Sequence, residues 1–286
     1  MHRISEPKDF TNLIPAMPHS FSKLRPSENV IAQTAMILRT QKTHEAVNCA
    51  LCGEVHQWQE HPFGSAWLYC REECACERQA RLTHESAERR AMTLQLYRNL
   101  CNLPAQFRET RIADVRRVKG MEAAIKTVKR YIQDWPHERN LILSGVVGCG
   151  KTMLAAAIAN PILDKLYEAR YINLLEHFPR VKACWGKPES NPPEMPATAA
   201  LLVLDELGSK PEPWQEEYLY PVVNYRYDHR LPTVVVTNQT SEQSLAVGIG
   251  PRSVDRLLHH GEWVGITAAS YRMKAYLEKK GERDGQ

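Results

Sequence analysis

Residues 140–152 read NLILSGVVGCGKT, a short apolar run that passes straight into a glycine loop closed by lysine and threonine. Within it, residues 145–152 (GVVGCGKT) match the pattern G-x-x-x-x-G-K-[ST] in full. Each fixed residue type has a physical reason. Glycines let backbone N–H groups turn inward on an anion with no Cβ in the way, and the N-terminus of a following helix adds positive dipole. The pattern predicts a buried strand, a phosphate-binding loop and a helix from Lys151. Lys151 is then expected to reach the β- and γ-phosphates of ATP, and the Thr152 hydroxyl to ligate Mg²⁺. The candidate nucleotide contacts are Gly145, Val146, Val147, Gly148, Cys149, Gly150, Lys151, Thr152 and Met153.

Three later stretches extend this reading. LLVLDELG (201–208) is a buried strand ending in Asp205 and Glu206. One carboxylate there suits the Mg²⁺ shell, and its neighbour suits orienting an attacking water. PTVVVTNQT (232–240) is another apolar strand, ending in Thr237 and Asn238. Two readings of Asn238 stand open: an amide that meets the γ-phosphate, or a residue that merely ends a strand. In GPRSVDRL (250–257), Arg252 and Arg256 lie four apart and share one helix face. They are either a solvated face or arginines supplied to the ATP of a neighbouring subunit.

The surrounding chain alternates helix and strand. Met121, Ile125, Val128 and Ile132 recur at helical spacing; a strand is expected near Tyr171 and a helix from Leu174. Pro161 falls inside the helix after the glycine loop, which implies a kink or an early end. Trp185–Pro196 reads as a surface loop, and Tyr220, Tyr225 and Tyr227 as residues packed in the core rather than stacked on bases. Alternation of this kind implies an α/β fold with a parallel sheet covered on both faces. Upstream, prolines at 7, 15, 18 and 26 suggest a loose arm, followed by a helix over Ser27–Glu45. A long polar helix closes at Pro104, where the domain boundary is placed. The expected organisation is 1–104, 105–274 and a charged tail, 275–286.

Taken together these pieces resemble the DnaC/DnaI-type helicase loaders, an AAA+ group that includes the IstB transposition ATPases and phage- or prophage-encoded members. The resemblance spans about Gln106 to Lys274. It rests on NLILSGVVGCGKTMLAAAIAN, LLVLDELG, VVNYRYDHRLPTVVVTNQT, GPRSVDRL and SYR at Ser270–Arg272. It implies an AAA+ ATPase in which Lys151 and Thr152 contact nucleotide and magnesium, Asp205 joins the metal shell and Glu206 is the base. Asn238 matches the γ-phosphate sensor. Arg256, with Arg252 beside it, matches an arginine presented in trans. It further implies self-association through ATP-bridged interfaces, contact with single-stranded DNA, and delivery of a replicative DNA helicase. The alternative is an IstB-type helper acting with a transposase on duplex DNA. A third reading is an adaptor that binds nucleotide and scarcely turns it over.

Five of the eight cysteines crowd into residues 49–76, as CALC (49–52) and CREECAC (70–76). The spacing suits two knuckles around one tetrahedral Zn²⁺, with Cys49 and Cys52 as the firm pair. By the family resemblance Cys74 and Cys76 complete the site, with Cys70 as substitute. His56 and His61 are possible ligands that lack a partner spacing and are expected in loops instead, and Cys101, Cys149 and Cys184 are expected as non-ligands. Zinc here is expected to be structural, stapling a small N-terminal domain that docks on the partner, helped by the Ser27–Glu45 helix.

The net charge is +4 over 286 residues. Gripping duplex DNA by charge alone usually needs a stronger basic excess, so composition does not argue for nucleic acid. No apolar run approaches the ~20 residues of a membrane-spanning helix. The N-terminus also lacks the apolar core of a secretory signal, and a cytoplasmic protein with reduced cysteines is expected.

Overall fold

The structure, a computed structural model, describes residues 36–39, 46–57, 59–63, 66–187, 189–209, 211–273 and 276. The chain divides into two compact units, Met1–Glu88 and Arg89–Gln286. The division falls inside a long helix.

In the first unit, β1 (Met36–Arg39), β5 (Ala66–Glu72) and β4 (Gln59–Phe63) form an antiparallel sheet in that order. A two-stranded ladder, β2 (Val47–Asn48) with β3 (Val55–His56), makes a separate knuckle. The helix expected over Ser27–Glu45 is corrected here. Its residues 36–39 are a strand paired in register with residues 69–72, and the rest lies outside the described residues. Apolar Met36, Ile37 and Leu38 find a partner strand distant in sequence, which local helix propensity cannot register. His56 and His61 also lie on strands, β3 and β4, and not in loops. Helix α1 (Ala75–Cys101) follows directly.

The second unit is built on five parallel strands: β6 (Asn140–Gly145), β7 (Ala169–Asn173), β8 (Leu201–Asp205), β9 (Thr233–Thr237) and β10 (Gly261–Ile266). Their spatial order is β10-β6-β9-β8-β7. Strands buried on both faces read as continuous apolar runs, as β6, β8 and β9 do. Leu141 and Leu143 point to one core with α2 (Glu122–Gln133) and α3 (Lys151–Asp164). Ile142 points to the other, with α4 (Leu174–Ala183), α5 (Pro213–Asp228), α6 (Glu242–Ile249) and α7 (Pro251–His259). Helix α3 runs past Pro161 to Asp164 before it ends. Trp185–Pro196 carries no regular structure among the described residues, as expected.

A buried arginine fixes the end of that loop. The Arg226 guanidinium, 1% exposed, donates to the carbonyls of Ala197, Ala199 and Pro232 and to the Thr233 hydroxyl. Burial lowers its pKa to about 10, so it stays charged at neutral pH. One planar fork thereby ties the approach to β8, helix α5 and the start of β9.

Candidate functional site

The carboxyl ends of β6, β9 and β8 lie side by side, where parallel α/β sheets gather their ligands. β6 runs into the glycine loop. Gly150 caps α3 with φ +100°, a conformation that side chains with a Cβ rarely adopt. Gly148 has φ +81°, and a Cβ there would sit 2.3 Å from Ser270 Oγ. Its carbonyl accepts the Tyr271 N–H at 3.0 Å, so the segment after β10 is stitched to the loop. Val146 and Val147 are exposed at the apex, whereas Cys149 is buried and its thiol pushed up by burial.

Lys151 is 6% exposed, and its ammonium donates to Gly145 O at 2.8 Å, Val146 O at 3.0 Å and Asn238 Oδ1 at 2.7 Å. Asn238 Nδ2 then donates to Glu206 Oε2 at 3.0 Å, and Ser209 Oγ donates to the same oxygen at 2.8 Å. Because β9 stands between β6 and β8, only a residue at its end can touch both the lysine and the carboxylate.

Asp205 is 2% exposed and receives Thr152 Oγ1 at 2.9 Å, Tyr171 OH at 2.6 Å and the Glu206 N–H at 2.8 Å. Burial raises its pKa; the hydrogen bonds from Tyr171 and Thr152 work against that rise. Glu206 has φ +61°. A non-glycine residue held there costs on the order of 1–2 kcal/mol and persists where its surroundings over-determine it. The Asn238 and Ser209 bonds supply that constraint, and the strained turn aims the carboxylate across the loop. Chemically the constellation offers inward N–H groups, one ammonium, a hydroxyl–carboxylate pair suited to a hard cation, and a second carboxylate steered by an amide.

The structure thus brings together Gly145–Thr152, Asp205, Glu206 and Asn238. It does not bring Arg252 or Arg256 to them. Both arginines ride on α7, which covers the sheet face opposite α3. Arg252 is exposed, while half-buried Arg256 bonds to Asn224 on α5. Sequence reasoning missed Tyr171 and Ser209, which no motif marks. Tyr171 is a strand residue in a helix-strand alternation and Ser209 is part of a turn; only the tertiary fold makes them partners.

The chain is matched by the family model of the IstB-like ATP binding protein over residues 71–279, most of its length. It belongs to that family. The replicative helicase loader DnaC of Escherichia coli K12 is 27% identical over 194 residues, covering 65% of this chain and 79% of the loader. The loader DnaI of Bacillus subtilis is 24% identical over 236 residues, 77% of this chain and 75% of DnaI. The ATP-binding protein of insertion sequence IS232 from Bacillus thuringiensis is 29% identical over 153 residues, 51% of this chain and 60% of that protein. A crystal structure of the DnaC helicase loader shares the fold, with a TM-score of 0.51 at 21% identity. It covers 57% of this chain and 100% of that one. The α/β architecture expected from the sequence, a central parallel sheet flanked by helices with a glycine loop after its first strand, is the one observed.

In the first unit, Cys49 and Cys52 flank the turn between β2 and β3, and Cys74 and Cys76 open α1. Their four Sγ atoms lie within 4.8 Å of one another. Named separations are 2.8 Å (Cys74–Cys76), 3.4 Å (Cys49–Cys74 and Cys49–Cys76) and 3.9 Å (Cys52–Cys74). Zinc–sulfur bonds of about 2.3 Å in a tetrahedron put sulfurs about 3.8 Å apart, close to the separations of Cys49 and Cys52 from their partners, while the Cys74 and Cys76 sulfurs lie nearer each other than that. Backbone N–H groups of Cys52 and Leu51 bring the Cys49 thiol down to about 7. The Glu77 N–H donates to Cys74 Sγ. Four thiolates this close repel unless a cation sits among them, so the donor set fits Zn²⁺. Glu54, His56 and Cys74 form an overlapping group, which places His56 nearer the cluster than its sequence suggested. Cys70 has its backbone in β5, opposite Leu38 and Gln59. Among the described residues no helix is long and apolar enough to cross a membrane.

Proposed function

We propose that this chain is an ATP-dependent loader of a replicative DNA helicase in the cytoplasm, acting as an ATPase and as an assembly switch. The observation that carries the reading is the continuous chain of bonds Lys151–Asn238–Glu206 beside Thr152–Asp205. In this reading the loop amides and Lys151 hold the β- and γ-phosphates, and Thr152 and Asp205 hold Mg²⁺, which neutralises phosphate charge when bound. Glu206 accepts the proton of the attacking water while Asn238 keeps its carboxylate aimed. Arg256, with Arg252 beside it, acts on the ATP of a second copy, so that nucleotide bridges neighbouring subunits.

Residues 1–104 dock on the helicase, stapled by structural Zn²⁺ on Cys49, Cys52, Cys74 and Cys76; residues 105–274 are the ATPase domain, and 275–286 a tail. Support for a loader comes from the alignment to DnaI, which is too long to fit within residues 89–286 and enters the first unit. Single-stranded DNA is the proposed polymer. Support is a rim made of exposed Trp185 and partly buried Trp214, with Lys182 Nζ, which also pairs with Glu212, 6.0 and 5.7 Å from their rings. Such a rim stacks on bases without reading sequence.

Two measurements on the full chain test this. ATP hydrolysis by Glu206→Gln is expected to fall at least a hundredfold with ATP binding kept; unchanged turnover removes the ATPase. Binding with ATP present is expected to favour single-stranded over duplex oligonucleotides. The reverse preference selects the transposition helper.

A further inference from the structure

Tyr220, Asn224 and Tyr227 project from successive turns of α5 toward Arg256 on α7. Arg256 Cζ lies 5.0 Å from the Tyr220 ring centroid and 5.7 Å from that of Tyr227. Its Nε donates to Asn224 Oδ1 at 2.7 Å, and one terminal nitrogen donates to Arg252 O at 3.3 Å. Tyr227 is itself held, its hydroxyl 2.7 Å from His259 Nδ1. Tyr220, Tyr225 and Tyr227 are not in the core, contrary to expectation; they are half-buried at the helix surface.

A guanidinium has five N–H donors in a rigid fork. Two are engaged within the chain among the described residues, one on Nε and one on a terminal nitrogen, while the two rings lie beside the fork. A solvated arginine needs no such cage; an arginine that must arrive at an anion on another molecule does, because a free side chain loses rotamer entropy on docking. We propose that Tyr220, Tyr227 and Asn224 are positioning residues that hold Arg256 extended for the triphosphate bound by a second copy of this chain. The inference rests on the reading of Arg256 given above.

The test is hydrolysis by mixed full-length chains. Lys151→Ala chains keep the arginine and lose the phosphate lysine; Arg256→Ala chains do the opposite. Their mixture is expected to hydrolyse ATP faster than either alone. Adding Tyr220→Leu to the Lys151→Ala chain is expected to lower kcat of the mixture roughly threefold, and Tyr220→Leu with Tyr227→Leu about tenfold. KM for ATP stays unchanged, since the other chain binds it, and Tyr220→Phe restores kcat. Leucine donors that work as well as phenylalanine donors overturn the inference while leaving the trans arginine intact. A mixture that is inert with both rings present overturns both. If the leucine donors melt below assay temperature, Asn224→Ala in the donor makes the same comparison. A fall in kcat supports the proposal, and no change defeats it.

Discussion

Asn238 donates its side-chain amide to the Glu206 carboxylate at 3.0 Å, although the two residues follow different strands of the sheet. Its other end accepts from Lys151. A single amide therefore couples the group that would hold the phosphates to the group that would activate water.

Replacing Asn238 separates the two. Asn238→Ala is expected to lower kcat for ATP about a hundredfold with little change in nucleotide affinity, because the loop amides and Lys151 remain. Asn238→Asp is expected to be worse, since it faces Glu206 with a second carboxylate instead of a donor. Steady-state kinetics with a parallel binding titration checks both; equal losses in kcat and affinity would place Asn238 in binding rather than catalysis.

Asp205 sets stability against function. Burial holds its folded-state pKa above the unfolded value. The folded state therefore binds more protons than the unfolded one as pH rises from the ordinary carboxylate range through the raised pKa. Stability falls across that window, being fullest below it. Asp205→Asn keeps the one oxygen that accepts from Tyr171 and Thr152 and removes the buried charge, at the loss of the acceptor for the Glu206 N–H. Its Tm at neutral pH, without nucleotide or Mg²⁺, is expected to exceed the parent's by a few degrees, at about 2–4 °C per kcal/mol. The gain should shrink on acidification, and hydrolysis should be abolished. A lower Tm at pH 7 contradicts the assignment of burial as the dominant effect.

The cysteine cluster predicts a stoichiometry. About one zinc per chain is expected, lost in Cys49→Ser or Cys74→Ser and kept in Cys70→Ser, by elemental analysis. Chelation should expose the first unit to protease while ATP binding by the second continues. Retained zinc in the Cys74→Ser protein would move the ligand set.

Among the described residues Arg226 bonds to carbonyls and a hydroxyl and to no carboxylate. Arg226→Met is expected to destabilise the second unit by roughly 3 kcal/mol, because the carbonyls of Ala197, Ala199 and Pro232 and the Thr233 hydroxyl each lose a donor in a largely buried site. Lysine should not rescue, lacking the planar fork. The urea midpoint reads this directly.

What was legible in the sequence follows from locality. The phosphate loop, Asp205, Glu206 and Asn238 each end an unbroken apolar run, and such runs announce buried parallel strands whose carboxyl ends must converge. Arg256 was legible as a residue but not as a geometry, because its cage is assembled from a second helix. Tyr220 and Tyr227 looked like core for the same reason: α5 mixes aromatics and charges without a clean apolar stripe. Met36–Arg39 was misread because a four-residue strand owes its conformation to β5, which local pattern does not see. The cysteine spacing, in contrast, points to Cys49 and Cys52, the resemblance points to Cys74 and Cys76, and the fold brings the start of α1 to the knuckle so that all four sulfurs are neighbours.

The most direct measurement is the affinity of full-length Lys151→Ala for ATP with Mg²⁺, titrated beside the parent. The ammonium's three bonds converge on the loop carbonyls and Asn238, so its loss is expected to weaken binding roughly a hundredfold. A variant that holds ATP as tightly as the parent would contradict the phosphate-loop assignment on which every other role depends.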